Sequence, residues 1–308
     1  MKRLLFVFNP HSGKAQIKNA LLQIVDIFVK GGYEVTVHPT QARQDAYNTV
    51  KNGAGRFDLV VCSGGDGTLN ETVSGLMAGG APTRLGYIPT GTTNDFASSL
   101  GIPKNMVEAA RAIVDGREFL CDIGAFNDTY FTYVSAFGAF TEVAYQTPQP
   151  VKNMLGHLAY VLEGIKRLAS IKTYAMTVEH DGETIRDEFV FGMVSNSMSV
   201  GGFKSTGETG IQLDDGLFEV ALVKMPKNAI DLQMTINDLL KLQVDSNYIC
   251  FFKTSSVLIR SEEALAWTLD GEFGGNVREV RIQNCPRAIP FMIRPRDDLP
   301  LLSTAIKE

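Results

Sequence analysis

The feature that most limits the fold of this chain is the alternation of strand and helix signals over roughly its first 120 residues. Apolar or alternating runs typical of strands occur at 2–8, 33–38, 57–62 and 85–88. Helical spacing of apolar residues occurs between and after them, at 17–28, 41–52, 67–77 and 107–114. Parallel strands joined by crossover helices produce this order, so the pattern predicts an open α/β sheet with helices on both faces.

From about Cys121 the pattern becomes rich in strands. Extended segments are predicted at 130–143, 174–179, 183–194, 217–223, 249–260, 266–269 and 277–282, and helices at 155–168 and 229–242. A length of 308 residues is about twice that of a usual domain. We therefore expect an α/β domain at 1–124, a β-rich domain at 125–289 and a C-terminal tail at about 290–308.

Composition excludes several classes of protein. The net charge of −5 and the absence of any cluster of four basic residues argue against nucleic acid as the main partner. No run approaches the 18 apolar residues of a membrane-spanning helix, and the first apolar run ends at Asn9-Pro10, too early for a signal peptide. The four cysteines show no C-x-x-C spacing, so we expect buried free thiols and a cytoplasmic protein.

Three polar loops that contain glycine follow predicted strands. The strongest, Gly64-Gly65-Asp66-Gly67-Thr68, leaves a buried strand and enters a helix; the others are Asn9–Lys14 and Pro89–Phe96. Glycine lets a backbone approach a phosphate, and a helix N-terminus favours an anion, so the loops predict a phosphate cradle at one sheet edge. Taken alone, Asp66 also suits a turn or helix cap, and Lys14 a solvated lysine.

These loops resemble the catalytic domain of the diacylglycerol kinase family, whose members include soluble bacterial lipid kinases related to sphingosine and ceramide kinases. The motifs that carry the resemblance are Asn-Pro-x-Ser-Gly at 9–13, Gly-Gly-Asp-Gly-Thr at 64–68 and Gly-Thr-x-Asn-Asp-Phe-Ala at 91–97. It continues through 152–160, Gly201-Gly202, 213–217 and Leu269-Asp270-Gly271-Glu272, in family order along nearly the whole chain.

The resemblance implies an α/β nucleotide-binding domain related to phosphofructokinase and NAD kinase, followed by a β-sandwich that completes a cleft for lipid and phosphate. It implies that the tail of about 290–308 returns to the first domain. It places ATP on Asn9, Pro10, His11, Ser12, Gly13, Thr40, Gly64, Gly65, Asp66, Gly67, Thr68, Leu69, Asn70 and Thr92, to which the chemistry of the loops adds Lys14 and Asn94.

Phosphoryl transfer also needs a cation and an acceptor for the hydroxyl proton. The resemblance assigns catalysis to Asp270 and Glu272 together with Asp66, and either Asp270 or Glu272 fits the base; from spacing alone the pair is a turn with two solvated acids. It assigns a structural Mg2+ to the carboxylate of Asp215 and the carbonyls of Gln212 and Leu217. From spacing alone, that segment is also a turn.

The sequence departs from the family in two places. Ser98-Ser99 stands where members often carry Arg, and Thr209–Gln212 replaces a frequent Pro-x-Ala. The function expected is an ATP- and Mg2+-dependent kinase that phosphorylates the free hydroxyl of diacylglycerol or a similar glycerolipid. The alternatives are an NAD kinase and a nucleotide-regulated lipid-binding protein without turnover.

The expected partner is the lipid substrate, reached by transient peripheral contact with the membrane. The aromatic-rich segment Tyr130–Phe140 suits the lining of an acyl-chain cleft, although it suits an ordinary core face as well. Basic residues at Lys166, Arg167 and Lys172 are candidates for the membrane contact. Oligomeric state, including a homodimer, is left open.

Overall fold

The computed structural model describes residues 1–15, 17–80, 83–91, 94–138, 172–197, 199–200, 203–204, 212–228, 230–231, 234–235, 238 and 247–294. These residues belong to two compact units. One unit runs from Met1 to Cys121 and includes the described residues from Arg287 onward, and the other runs from Asp122 to Pro286.

The first unit is a parallel sheet with helices on both faces. Its strands are β1 (Lys2–Phe8), β2 (Tyr33–Pro39), β3 (Leu59–Gly64) and β4 (Arg84–Pro89), in the spatial order β4-β3-β1-β2. Its helices are α1 (Ile17–Lys30), α2 (Asp45–Gly53), α3 (Asp66–Gly79), α4 (Asp95–Ser99) and α5 (Met106–Val114), with short 3-10 turns at Ser12–Ala15 and Ala54–Arg56. The α/β prediction is confirmed.

Apolar side chains on one face of β1 build a core with α1 and α5. Phe6 packs edge-on against Phe28 of α1, with ring centroids 5.7 Å apart, and Ile113 of α5 belongs to the same buried cluster. Helix α1 places Ile17, Ala20, Ile24 and Phe28 on one stripe by its three- and four-residue spacing. Burying each large side chain contributes about 1.5–3 kcal/mol, which fixes the helix on the sheet.

The second unit consists of antiparallel strands. They are β5 (Arg117–Phe126, which begins in the first unit), β6 (Thr129–Phe131), β7 (Val134–Gly138), β8 (Tyr174–His180), β9 (Glu183–Ser195), β10 (Ser199–Val200), β11 (Phe203–Lys204), β12 (Phe218–Lys224), β13 (Ile249–Thr254), β14 (Ser256–Leu269) and β15 (Glu272–Ile293). The end of β15 returns to the first unit, where Phe291 pairs in parallel with Leu85 of β4 and its ring lies 5.1 Å from that of Phe96.

Two long strands close the antiparallel unit. β9 pairs with β8 along its first half and with β7 and β12 along its second half, and β14 pairs with β8 and then with β7. Register shifts in β14 after Arg260 and after Trp267 let the strand bend between these partners. The enclosed core centres on Trp267, whose ring lies 5.2 Å from Phe126 and 4.9 Å from Phe137.

Several element boundaries differ from the sequence predictions. Helix α2 begins at Asp45 and not at 41, because Gln44 takes a left-handed conformation that ends the preceding loop. The predicted strand 130–143 is broken between β6 and β7, where the backbone N–H groups of Thr132 and Tyr133 donate to a side-chain carboxylate. The predicted strand 249–260 breaks at Ser255, beside a turn closed by the Thr254 hydroxyl.

Two further strands were predicted too short, and two elements were not predicted at all. One predicted helix lies outside the described residues. The segments 266–269 and 277–282 are parts of β14 and β15, while β5 and the short helix α4 were not predicted. The hairpin of β8 and β9 is confirmed, with His180 paired to Glu183 across its turn. The predicted helix 155–168 lies outside the described residues.

Candidate active site

Backbone hydrogen bonds hold the loops of the first unit together at the carboxyl edge of its parallel sheet. The N–H of Asn9, after β1, donates to the carbonyl of Ser63 in β3 at 2.9 Å. The N–H of Thr90, after β4, donates to the carbonyl of Gly64 at 2.8 Å. The loop segments predicted to bind phosphate therefore lie side by side, at the edge where open α/β sheets place ligands.

Glycines let these loops approach more closely than side chains would allow. A Cβ on Gly13, whose φ is +56°, would lie 1.7 Å from the carbonyl oxygen of Thr90. A Cβ on Gly91 would lie 2.7 Å from the Cα of Gly65. The backbones of the three loops are thus in direct contact, which side chains at these glycines would prevent.

Helix α3 starts inside this cradle. Its N-cap is Gly65, which has no side chain to occupy the first N–H groups, and the helix runs for 14 residues from Asp66. The N–H groups of the first turn point away from the helix and carry its positive end of the dipole. The first turn of α3 can therefore bind an anion through its backbone.

Asp66 is tied to the loop after β4. Its Oδ2 accepts the backbone N–H of Asn94 at 3.2 Å, and Asn94 has a left-handed φ of 52°. The Asn94 side chain closes its own loop, since Oδ1 accepts the N–H of Gly91 at 3.0 Å and Nδ2 donates to the Gly91 carbonyl at 2.6 Å. A carboxylate is thus fixed at the start of α3, beside the groups predicted to hold phosphate.

Tyr87 lies beneath the cradle as a buried supporting side chain. Its hydroxyl is 3.2 Å from the Gly64 carbonyl and 3.2 Å from Asn94 Oδ1. Burial, followed by the negative charge of Asp66, raises the pKa of Tyr87 well above its usual value, so the hydroxyl stays protonated and donates. Sequence reasoning missed this residue, because a tyrosine within a strand carries no local signal of such a role.

Among the other predicted nucleotide residues, two make hydrogen bonds that the structure describes and two have side chains outside its described part. Asn9 accepts the N–H of His11 on Oδ1 at 2.9 Å, which shapes the first loop, and Thr40 donates its N–H to the carbonyl of Phe8 at 2.9 Å. Thr92 and the side chain of Lys14 lie outside the described part of the structure.

The second unit holds the predicted acid pair on the turn between β14 and β15, and the two acids differ sharply. Asp270 has a φ of 51° and is 4% exposed. Its carboxylate accepts N–H groups from Thr132 at 2.7 Å, Tyr133 at 3.0 Å and Val134 at 3.1 Å. Glu272 is exposed. Asp270 therefore organises the backbone between β6 and β7, while Glu272 has a carboxylate accessible to a substrate.

The predicted metal loop is held by a carboxylate that sequence reasoning did not select. Asp122 of β5 is fully buried; its N–H donates to the Leu213 carbonyl at 2.8 Å, and its Oδ2 accepts the N–H of Gly216 at 2.7 Å. Asp215 accepts the N–H of Leu217 on Oδ1 at 3.0 Å. The signal available in the sequence was an aspartate within the apolar run Phe119–Gly124.

A second buried acid, Glu219 of β12, lies directly after this loop. It is 2% exposed, and its Oε1 lies 3.0 Å from Nζ of Lys253 on the neighbouring strand β13. Burial raises the pKa of Glu219 to about 7, against the opposing effect of Lys253. Among the described residues, no three side chains of His, Cys, Asp or Glu gather as a metal cluster, so a cation here would depend on carbonyl ligands as well.

The four cysteines differ in burial. Cys62 and Cys121 are buried, Cys250 and Cys285 are half-buried, and all four are free thiols.

Ser98 and Ser99 lie in α4 and donate their hydroxyls back to carbonyls one turn earlier, those of Asn94 and Asp95. They supply no positive charge near the cradle.

Comparison with known proteins agrees with both units. Residues 3–126 match the family described as the diacylglycerol kinase catalytic domain, and residues 136–293 match the YegS C-terminal NAD kinase beta sandwich-like domain. A diacylglycerol kinase of Bacillus subtilis (strain 168) is 36% identical over 277 residues, which cover 89% of this chain and 91% of that protein. A diacylglycerol kinase of Staphylococcus aureus (strain bovine RF122 / ET3-1) is 31% identical over 282 residues, covering 90% and 88%.

A solved structure shows the same architecture. The crystal structure of a candidate diacylglycerol kinase from Bacillus anthracis str. Sterne superimposes with a TM-score of 0.81 at 26% identity, covering 96% of this chain and 98% of that chain. The glycine cradle on a parallel α/β unit and the sandwich-like unit define a lipid kinase. The chain belongs to the diacylglycerol kinase family. In the described part of the chain, no helix has the length and hydropathy needed to span a membrane.

Proposed function

We propose that this protein transfers the γ-phosphoryl group of ATP to the free hydroxyl of diacylglycerol or a similar glycerolipid. The observation that carries the proposal is the three-loop cradle, where Gly13, Gly65 and Gly91 let the backbones of the three loops meet at the start of α3. The names of the relatives give the acceptor: each curated relative described above is a diacylglycerol kinase.

The cradle binds the triphosphate in this proposal. Backbone groups of 9–13 and 64–70 hold phosphate oxygens, and Thr40, Thr92, Asn94 and Lys14 are further nucleotide contacts expected from the sequence. The residues fit such a group, because a Cβ at Gly65 or Gly91 would fill the space between the loops. Asp66 contributes a fixed carboxylate at this edge, and both the sequence motif and the bond to Asn94 select it.

A carboxylate beside phosphates needs a cation, and Asp66 is placed to hold Mg2+ that accompanies the nucleotide. When bound, Mg2+ would neutralise charge on the phosphate oxygens during transfer. The side chain of Asp66 has the hard oxygen donors that this ion prefers. Its orientation is fixed by Asn94, which keeps the charge in place before the nucleotide arrives.

Glu272 acts as the general base in this proposal. It takes the proton of the lipid hydroxyl as the oxygen–phosphorus bond forms and the bond from the γ-phosphorus to ADP breaks. The carboxylate of Asp270 is buried and already accepts three backbone N–H groups, so Glu272 is the acid of the pair with oxygens open to the lipid hydroxyl. Asp270 instead fixes the turn that presents Glu272.

We also propose that the loop 212–217 holds a structural Mg2+ through Asp215 and the carbonyls of Gln212 and Leu217. The donor set fits a hard cation, and Asp122 fixes the loop from below through Leu213 and Gly216. Adding Mg2+ to the parent protein should raise its melting temperature by mass action. Asp215→Ala should lose most of that rise, whereas a parent protein that melts identically with Mg2+ and with chelator refutes the site.

Access to lipid requires contact with the membrane, which we propose to be transient and peripheral for a cytoplasmic enzyme. Lys172 is not a free charge for this contact, because its ammonium pairs with Glu263 and lies 5.2 Å from the ring centre of Tyr174. Lys166 and Arg167 lie outside the described residues. In vesicle sedimentation most of the protein should stay in the supernatant, with little effect of moderate salt.

One assay tests the proposed reaction. Purified protein is incubated with Mg2+ and labelled ATP, and with diacylglycerol, monoacylglycerol, phosphatidylglycerol, sphingosine or NAD as acceptor. We expect label in diacylglycerol or another glycerolipid. Label in NAD alone would identify an NAD kinase, and ATP binding without label in any acceptor would identify a nucleotide-regulated binding protein.

A further inference from the structure

The loop between β2 and α2, residues 40–44, is held at three points by groups from other parts of the first unit. It starts at Thr40, whose N–H donates to the Phe8 carbonyl at 2.9 Å. The N–H of Gln41 donates to Oδ2 of Asp45 at 2.7 Å, and the N–H of Gln44 donates to Oε1 of Glu71 at 2.8 Å. Three of the five amides of this loop, those of Thr40, Gln41 and Gln44, are therefore bonded to groups outside it.

The bond from Gln44 to Glu71 matters because of where Glu71 lies. Glu71 is on α3, five residues after Asp66, and α3 begins in the phosphate cradle. The bond therefore fixes the β2–α2 loop to the same helix that carries the cradle. Gln44 has a left-handed φ of 67°, which is unfavourable for a residue with a side chain, and a charged acceptor on its N–H offsets that cost.

The bond from Gln41 to Asp45 is part of a small polar cluster. Oδ1 of Asp45 lies 3.2 Å from Nε2 of His38 and 3.3 Å from the hydroxyl of Thr49. The N–H of Gln41, helped by His38 and Thr49, lowers the pKa of Asp45 below its usual value, so the carboxylate stays ionised near neutral pH. This end of the loop is thus anchored to the end of β2 and to α2.

We infer that Glu71 and Asp45 are positioning residues that hold the β2–α2 loop, and with it Thr40, in the conformation that binds the nucleotide. The inference rests on the proposed function, which places Thr40 at the nucleotide. Neither carboxylate touches the substrate in this account. Each acts through a loop amide, so its loss lowers the fraction of protein whose loop is ready to bind ATP.

Steady-state kinetics and calorimetry of ATP binding test the inference on four variants. Glu71→Ala and Asp45→Ala should each raise the KM and the Kd for ATP about tenfold, with kcat within about threefold of the parent. Glu71→Gln and Asp45→Asn keep an oxygen that accepts the same N–H, and should recover most of the affinity. Asp26→Ala is the matched control, because it removes a carboxylate from an exposed ion pair with Lys30 on α1, and it should change neither constant.

Unchanged KM and Kd in both alanine variants would overturn the inference, as would a fall in kcat with unchanged KM. Amide hydrogen exchange of the parent protein without nucleotide gives a test that does not depend on the variants folding. The amides of Gln41 and Gln44 should already be protected, and ATP should add little. Free exchange of both amides until ATP is added would show that the loop is not preorganised.

These results separate the inference from the function on which it rests. If the parent binds no ATP in calorimetry, the proposed function fails, while amide exchange still reports whether the loop is held. If the parent phosphorylates a glycerolipid but the alanine variants keep parental affinity for ATP, the inference fails and the function stands.

Discussion

The backbone N–H of Asn94 donates to Oδ2 of Asp66 at 3.2 Å, which joins the loop after β4 to the first residue of α3. The two residues are separated by 28 positions in the chain. The side chain of Asn94 holds this residue in place for the bond. Its Oδ1 accepts the Gly91 N–H, and its Nδ2 donates to the Gly91 carbonyl. The orientation of the Asp66 carboxylate is therefore set by the neighbouring loop and not by Asp66 alone.

Asp66→Asn should separate the charge of this residue from its structural bond. The amide keeps an oxygen for the Asn94 N–H, so the melting temperature should stay within about 3 °C of the parent, a change of about 1 kcal/mol. Loss of the charge that holds the nucleotide's cation should lower kcat/KM at least about 100-fold in the lipid kinase assay. A near-parental rate, or a collapsed fold, would return Asp66 to a purely structural role.

The acid pair on the β14–β15 turn should divide into a catalytic and a structural residue. Glu272→Gln removes an exposed carboxylate, so turnover should fall about 10²–10⁴-fold with little change in stability. Asp270→Asn turns an amide N–H2 toward converging N–H groups, and should lower the free energy of unfolding by about 1–3 kcal/mol. Urea unfolding and turnover, measured on both variants, check the division; full activity of Glu272→Gln would contradict it.

Gly13→Ala and Gly32→Ala form a matched pair for the cradle. Both glycines have positive φ, +56° and +86°, so both variants should lose about 1–2 kcal/mol to backbone strain. Gly32 has nothing within 4 Å of an added Cβ, whereas at Gly13 the new atom meets the Thr90 carbonyl. Only Gly13→Ala should weaken ATP binding, by about tenfold or more in calorimetry. Equal affinities for ATP in the two variants would show that close contact of the loops is not the reason why glycine is needed at position 13.

The rate at which each cysteine thiol reacts should decrease with its burial. Burial raises the pKa of the Cys62 thiol to about 12, and also raises the pKa of the half-buried Cys250 and Cys285. Because only the thiolate reacts, a raised pKa slows reaction at pH 8, and the rate should increase as the pH rises. With Ellman's reagent at pH 8 the folded protein should show slow reaction of Cys250 and Cys285 only, and four thiols after unfolding. Rapid reaction of all four in the folded protein would contradict this placement.

The local features of this protein were predictable from its sequence. The α/β order of the first unit, the three loops and the turn bearing Asp270 and Glu272 were predicted because strand periodicity, glycine content and helix starts depend on neighbouring residues. The predicted β8–β9 hairpin was confirmed for the same reason. Family resemblance then supplied the chemistry that the spacing of these residues left open.

The pairing of polar groups from distant parts of the chain became known from the folded structure alone. Thr132 and Asp270 are 138 positions apart, Gly216 and Asp122 are 94 apart, and Gln44 and Glu71 are 27 apart. The spacing of residues along the chain does not predict such pairs. An acidic residue that faces water cannot be distinguished by sequence from one that accepts three N–H groups. Burial and the need to satisfy buried hydrogen-bonding groups make the distinction, and they leave Asp270 bonded within the protein and Glu272 exposed.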